Sequence, residues 1–519
     1  MSVDGVRRVA VMWAGHRVIL FGFLPQNLKK TKAVAVAISV PQAMARDEQG
    51  GAARRDGLVG FRRSFYDCLT SRADALFELA DAALCVDGPV VSLAELSLAG
   101  CFRRGHGALY DALAAGGVDV DRVRDLLVDH LPGDGPVTFA VDVSAWPRPD
   151  AECSPQRLHC HRPCRCDGVR QTIPGWPYQV VALLEPGASS WTAPCDAVRL
   201  GPDDDATEVT AAQIHNLLGR LRRRDRLTDG DAVPLGVFDS GYDLTRLGWL
   251  LRADVVQLLG RIRADRVFYT PAPPQRRDGR VGRRPRHGDR FELARPDRLP
   301  AADQELTAQH ARYGKVTVRA WHRLHQKLER RANWADHEGQ LPIVDGSVIL
   351  VEVEQLPGDR APAPLWLWWT APEGTAFDLN RLWRAYLRRF DLEHTFRFFK
   401  QVLGWTRARV RTPAQADRWT WLIIAAYTQL RLARHLIDDL RHPWERPLPT
   451  HRQPSPLRVR RGFRRIRRTA GIPAHAAKPT RPGPGRPRGR TSLPAPRHPV
   501  GKKGRKKDMP RRGGKPQTG

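Results

Sequence analysis

The sequence predicts an α/β protein: a mixed-sheet core flanked by a helical N-terminal domain and a basic C-terminal tail. Three observations carry this expectation. Between residues 133 and 264, short runs rich in β-branched residues alternate with amphipathic stretches, the pattern of a sheet with helices on its faces. The chain has 519 residues and is 41% hydrophobic, enough for a large core. Its 85 Lys and Arg outnumber 55 Asp and Glu, giving +30, and the excess is unevenly placed.

Residues 451–519 hold 22 basic residues and one acid, Asp508. They also hold 12 Pro, 10 Gly and one aromatic residue, Phe463. Such a stretch buries too little apolar surface to offset its ordering entropy, so 449–519 reads as a disordered basic tail. The overall charge points to a polyanion, most often nucleic acid, and counts against an acidic protein substrate. No apolar run approaches the ~20 residues that span a bilayer, so no membrane is expected and the expected location is cytoplasmic. Eight cysteines in this length do not form a secreted disulfide framework. Lys29, Lys30 and Lys32, followed by an apolar run and Ala43-Met44-Ala45, imitate a signal peptide, but too far into the chain.

Residues 1–57 hold no period and read as a poorly defined extension. Residues 58–132 read as a helical domain. Leu76, Leu79, Ala80 and Ala83 recur at helical spacing, and shorter helices are expected at 93–98, 107–113 and 123–131. After Pro132-Gly133-Asp134-Gly135 the period changes. Strands are expected at 137–143, 178–184 and 197–200, then an amphipathic helix at 207–222 presenting Ile214, Leu217, Leu218 and Leu221. A strand at 234–239, a helix at 244–252 and a strand at 255–259 complete this first part of the core.

Residues 265–372 break the rhythm and read as a β-rich insertion. Strands are expected at 267–269, 315–321, 347–353 and 365–370, with one helix near 323–331. The insertion contains an arginine-rich run whose Arg276, Arg283 and Arg284 suit either a solvated loop or phosphate contact. Helical pattern returns in 373–448, at 379–402 and 418–436, as the second part of the core. In the tail, the run Pro482 to Arg490 resembles an AT-hook centred on Arg486 and Arg488; a nonspecific polycation is the alternative. Cys153, His159, Cys160, His161, Cys164 and Cys166 cluster densely, but their spacing is not a familiar zinc pattern, and a loop reads as well.

Three acidic residues stand out. Asp142 lies in an apolar strand, where a lone carboxylate is costly unless paired or metal-bound. Asp239 ends another strand and reads either as a ligand or as the cap of the next helix. Two strand-end carboxylates in one sheet can converge on a hard divalent ion. Glu393 shares a helical stripe with Tyr386, Arg389 and Lys400, all within about 60° of one another. Leu392, Phe396, Phe399 and Leu403 border that stripe. An ordinary Arg389–Glu393 ion pair is the simpler reading.

The spacing Tyr386-x2-Arg389-x3-Glu393-x6-Lys400 resembles the Y-R-E-K signature of bacterial insertion-sequence transposases of the DDE superfamily. Asp142 in Asp-Val-Ser and Asp239 in Asp-Ser-Gly-Tyr look like that family's first and second acidic residues. The resemblance spans roughly residues 60–450. It implies a ribonuclease-H-like catalytic core with a β-rich insertion between the second Asp and the Glu. It further implies that Asp142, Asp239 and Glu393 hold Mg2+ or Mn2+, as two ions, for strand cleavage and strand transfer at insertion-sequence ends. Arg389, Lys400 and Tyr386 would serve DNA binding near the cut. The expected partner is double-stranded DNA, both transposon ends and target, bound by a homodimer at the nucleoid. A stand-alone nuclease, or an inactive or domesticated DNA-binding relative, would share much of this pattern.

Overall fold

The computed structural model describes residues 9–14, 17–22, 38–133, 135–161, 172–186, 189–273, 285–356, 361–437, 440–449, 453–479, 489 and 494–501, with side chains from residue 53 onward. The first strands, β1 (Val9–Ala14), β2 (Arg17–Gly22) and β3 (Ile38–Ser39), form a small antiparallel sheet of their own. A 28-residue helix, α1 (Val40–Asp67), then crosses the expected boundary at residue 57. The extension is therefore partly helical; the Gly50-Gly51 pair inside α1 masks its period. The apolar end of the signal-like run enters α1, and its lysines lie outside the described residues.

The expected helices of 58–132 are present. After β4 (Leu69–Ser71) come α2 (Ala73–Cys85), α3 (Leu93–Leu96), α4 (His106–Ala115), β5 (Gly117–Val118) and α5 (Val120–Asp129). Ser92 and Asp119 cap α3 and α5 by accepting backbone N–H groups.

The core follows the expected order with one further strand, β7, and with β6, β8 and β9 longer than expected. It comprises β6 (Thr138–Pro147), β7 (Leu158–His161), β8 (Thr172–Leu184), β9 (Thr192–Arg199), α6 (Ala206–Arg223), β10 (Leu235–Phe238), α7 (Leu244–Leu250) and β11 (Gln257–Arg261). Next come β12 (Val267–Pro271), β13 (His287–Glu292), β14 (Gln304–His310), β15 (Gly314–Leu324), β16 (Gly346–Val353) and β17 (Leu365–Thr370). The chain ends in α8 (Leu379–Arg388), α9 (Phe390–Gln401), α10 (Pro413–Ala433) and α11 (Pro456–Thr469).

One ten-stranded mixed sheet runs β14-β15-β16-β17-β11-β10-β6-β8-β7, with β9 also on β8. The pairs β6–β10 and β10–β11 are parallel. This architecture is compatible with the expected ribonuclease-H-like core. The β-rich insertion is not a separate layer, however. Its strands β14 to β17 continue the central sheet, because β17 pairs antiparallel with β11; only the β12–β13 hairpin stands apart. The helix expected near 323–331 is absent: β15 runs to Leu324 with Arg323 at φ +52°, and His325 bridges to Tyr269.

Each strand splits its side chains between two faces. On one face Phe139, Val141, Phe238, Leu258 and Trp368 pack against α6 and α7. On the other, Leu235, Val237 and Leu259 meet α8, while Ala140, Val180 and Ala182 meet α9, α10 and the N-terminal helices.

The tail is not disordered throughout. Within it, α11 buries Val459, Phe463 and Ile466 against α2 and α10. Arg460 donates to the carbonyls of Ala83 and Gly88, and Arg467 pairs with Asp81 at 2.7 Å. Averaged composition hides a helix whose Val459, Phe463 and Ile466 fall on one stripe. Further on, Gly501 bonds the Arg157 carbonyl beside β7. Among the described residues no helix is long and apolar enough to cross a membrane.

Candidate active site

Strand register brings the two aspartates together. Val141 and Phe238 are partners on the parallel strands β6 and β10. Asp142 and Asp239 are the next residues on each strand and emerge level, on the face that α8 and α9 cross. The third carboxylate comes from α9.

The expected continuous helix over 379–402 is two helices joined at Arg389. There the Arg389 N–H reaches back to Tyr386 O at 3.1 Å, and Leu392 N–H reaches Arg389 O at 3.1 Å. These three-residue bonds tighten the turn. The break lets α8 pack on β10, β11 and β15 while α9 packs on β6, β8 and β9. Arg389 sits at this junction and faces all three carboxylates. Its Nη1 is 3.3 Å from Asp142 Oδ2; its Nη2 is 3.0 Å from Glu393 Oε1 and 3.8 Å from Asp239 Oδ1. The Arg389 side chain is 3% exposed, Asp142 21%, Asp239 40% and Glu393 47%. The cluster therefore has a closed floor and an open mouth on the side of Asp239 and Glu393.

Asp239 does not cap the following helix. Asp243 does, accepting the Arg246 N–H at 3.0 Å, which leaves the Asp239 carboxylate to the cluster. Burial pushes the Asp142 carboxyl up to about 6, against the pull of Arg389 and the Val143 N–H, with Asp239 and Glu393 adding repulsion. Burial opposes the Arg389 charge, but Asp239, Tyr386, Asp142 and Glu393 outweigh it and raise its pKa. Burial lowers the Lys400 pKa, opposed by Asp142 and Cys160. Its ammonium lies 6.0 Å from the centre of the Trp405 ring. Tyr386 is buried against α8's neighbours, with the Arg389 guanidinium 5.9 Å from its ring centre.

Sequence reasoning left Tyr242 without a role. Its hydroxyl is buried with no hydrogen-bond partner among the described residues, and its pKa stands well above the ordinary value through burial and the charges of Asp142 and Asp239. The only signal was its place in the Asp-Ser-Gly-Tyr run. A cavity of about 380 Å³ begins at Ser240, the residue after Asp239, and is lined by Tyr242, Arg261, Arg263, Arg266, Lys327 and Trp334 among others, with the acidic Asp243 and Glu329. Arg276, Arg283, Arg284, Arg486 and Arg488 lie outside the described residues. So do Cys164 and Cys166. On β7, Cys160 is buried while His159 and His161 face outward, so strand alternation separates these potential zinc ligands.

Three carboxylates form an all-oxygen donor set, which fits a hard divalent cation rather than a soft one. The orphaned Tyr242 hydroxyl beside them is consistent with an additional polar occupant. Among the described residues no three His, Cys, Asp or Glu side chains stand ready as a metal cage; here the Arg389 guanidinium supplies the countercharge between them.

No curated protein matches this sequence. The family described as DDE superfamily endonuclease matches residues 64–327, just over half the chain. The match contains Asp142 and Asp239 and ends ahead of α8 and α9. Enzymes of this superfamily cut phosphodiester bonds with divalent metal ions. The chain belongs to the DDE superfamily endonucleases.

Proposed function

We propose that this endonuclease is a DNA transposase that cleaves and joins strands at insertion-sequence ends, with Asp142, Asp239 and Glu393 as its metal-binding catalytic triad. The observation that carries the reading is the meeting of these three carboxylates, from β6, the end of β10 and α9, on one guanidinium. The strand order β9-β8-β6-β10-β11, antiparallel and then parallel, supports a ribonuclease-H-like core. The Y-R-E-K spacing supports the transposase reading over an unspecialised nuclease.

The proposed cofactor is Mg2+ or Mn2+, as two ions. When bound, such cations offset charge on the scissile phosphate and make the attacking oxygen a better nucleophile. The chain's own residues do the rest. Asp142 must be ionised to act as a ligand, and Arg389 assists by stabilising the ionised form. Glu393, on the open side, can swing on its longer side chain as Arg389 releases it. Arg389 and Lys400 then offer charge-assisted contacts to DNA phosphate, and Tyr386 supports Arg389 from below. The cavity that begins at Ser240, with Arg261, Arg263, Arg266 and Lys327 in its lining, suits the flanking DNA backbone. The partner is double-stranded DNA, engaged by a homodimer at the nucleoid in the cytoplasm.

The test is cleavage and joining of a supercoiled plasmid that carries the element's own ends. Wild-type protein with Mg2+ should nick at the ends and insert them into target DNA. Asp239→Asn should abolish both while keeping DNA binding, because phosphate contacts come chiefly from Arg and Lys. Nicking without joining would favour the stand-alone nuclease. Binding without either activity would favour a non-catalytic relative.

A further inference from the structure

We propose that the solvent face of α11, together with the turn at residues 441–446, is a docking site for the backbone of duplex DNA, carried by elements other than those of the catalytic cluster. The proposal rests on the reading of the chain as an enzyme that acts on DNA. The helix divides into two faces. At 100° per residue from Arg464, Val459, Phe463 and Ile466 fall between about 200° and 260°, the side packed on α2 and α10. Arg461, Arg464, Arg465 and Arg468 fall within about 100° of one another on the opposite side.

Packing does not account for these outer arginines. Arg460 and Arg467 are engaged by the fold, through the Ala83 and Gly88 carbonyls and Asp81. Arg464, Arg465 and Arg468 are exposed and have no hydrogen-bond or ion-pair partner among the described residues. Nearby acids do not cancel them. Glu445 is held by Arg461 at 2.6 and 2.8 Å. Asp87 and Glu95 line a cavity of about 460 Å³ with Arg464 and Arg468, but they also act on the buried Arg460 charge, and Glu95 accepts the Val91 N–H at 3.0 Å. At 1.5 Å per residue, Arg461 to Arg468 spans about 10 Å; one DNA strand presents a phosphate about every 3.4 Å of axis, so about three phosphates lie along that length. Guanidiniums facing phosphates make charge-assisted, paired hydrogen bonds.

A second observation points the same way. The 441–446 turn is fastened to α11: Arg458 donates to the Arg446 carbonyl at 2.8 Å, and Arg461 holds Glu445. Next to Glu445, Trp444 is 79% exposed. Its indole stacks on the His442 imidazole, with ring centres 4.6 Å apart and planes 8° apart. A large, mostly apolar ring held out in water gains free energy when something covers it. Beside a row of arginines, a deoxyribose edge fits: it is apolar and flanked by phosphates. The arginines then supply the salt-dependent part of the attraction and the indole a salt-independent part.

The experiment measures binding of the full-length chain to a short duplex without element ends, in EDTA, across a salt series, so that cleavage is not read. The triple variant Arg464→Gln, Arg465→Gln, Arg468→Gln should lower the slope of log K against log salt by about 2 to 3, with an unchanged melting point. The matching triple to Lys should keep the wild-type slope, because counterion release counts charge. Trp444→Ala should weaken binding by about three- to tenfold at every salt concentration and leave the slope alone. Should the Gln triple melt early, Arg465→Gln alone, with a fall of about 0.9, carries the test. A wild-type slope in the folded Gln triple overturns the proposal and leaves the transposase reading standing. Wild-type affinity in Trp444→Ala overturns the part assigned to the turn. Failure of the wild-type chain to bind any duplex overturns the proposal and that reading together.

Discussion

Asp142 and Arg389 are 247 positions apart in sequence, yet Asp142 Oδ2 lies 3.3 Å from Arg389 Nη1. The guanidinium occupies the centre of a triangle of negative charge, with Glu393 and Asp239 on its other nitrogen. It acts as an internal counterion, and the first expectation follows from its removal.

Arg389→Gln leaves three carboxylates facing one another, one of them largely buried. Breaking such a pairing costs about 3 kcal/mol. The variant should melt earlier than wild type in a metal-free thermal scan. Added Mg2+ should restore more stability to the variant than it adds to wild type. Equal responses in the two proteins would count against cation binding at this cluster.

The Asp142 carboxyl gives a signed pH dependence. Its folded pKa is raised from 3.8 to about 6. Between those values the folded chain holds a proton that the unfolded chain has lost, so stability falls as pH rises through the window. Asp142→Asn removes the ionisation. Its melting point should exceed wild type at pH 7.5, by up to about 3 kcal/mol in stability, and the advantage should vanish below pH 4. Denaturant titrations at the two pH values check this.

Asp243 and Asp239 separate structure from chemistry within four residues. Asp243→Ala removes a helix cap and should cost about 1 kcal/mol while cleavage persists in proportion to folded protein. Asp239→Asn should leave stability near wild type and abolish Mg2+-dependent cleavage. Activity assays normalised to folded fraction distinguish the two.

The position of α11 divides the tail into a structural and an electrostatic part. Truncation after Leu448 removes Phe463, which is fully buried, and should destabilise the N-terminal helices; Phe463→Ala alone should cost about 3–5 kcal/mol. Truncation after Gly501 removes eight Lys and Arg and one Asp and should leave the melting point unchanged. It should weaken DNA binding and flatten its salt dependence, by about 0.9 in log–log slope for each phosphate that the tail no longer neutralises. Binding isotherms across a salt series measure that slope.

The local elements of the core were legible because their signals are local. Alternating β-branched runs marked β6, β8, β10, β16 and β17, and the stripe Ile214, Leu217, Leu218 and Leu221 marked α6. The spacing of Arg389 and Glu393 was enough to place them on one face even though the helix bends between them. Edge strand β14 was missed because its sequence, Gln304 to His310, is polar and half exposed. It is held by pairing with β15 rather than by its own apolar pattern.

The sequence by itself determined where most strands and helices of the core form, which face of those elements is apolar, and which residues carry carboxylates and cations. Those properties depend on side-chain period and turn chemistry within a few residues. Only the tertiary structure decided that Asp142 and Asp239 stand level, because that depends on the register of β6 against β10. It likewise decided that Asp243 rather than Asp239 caps α7, that the inserted strands extend the central sheet, and that α11 docks on α2. Each is a choice of partner between surfaces distant in sequence, settled by which apolar faces and charges fit when the whole chain is packed.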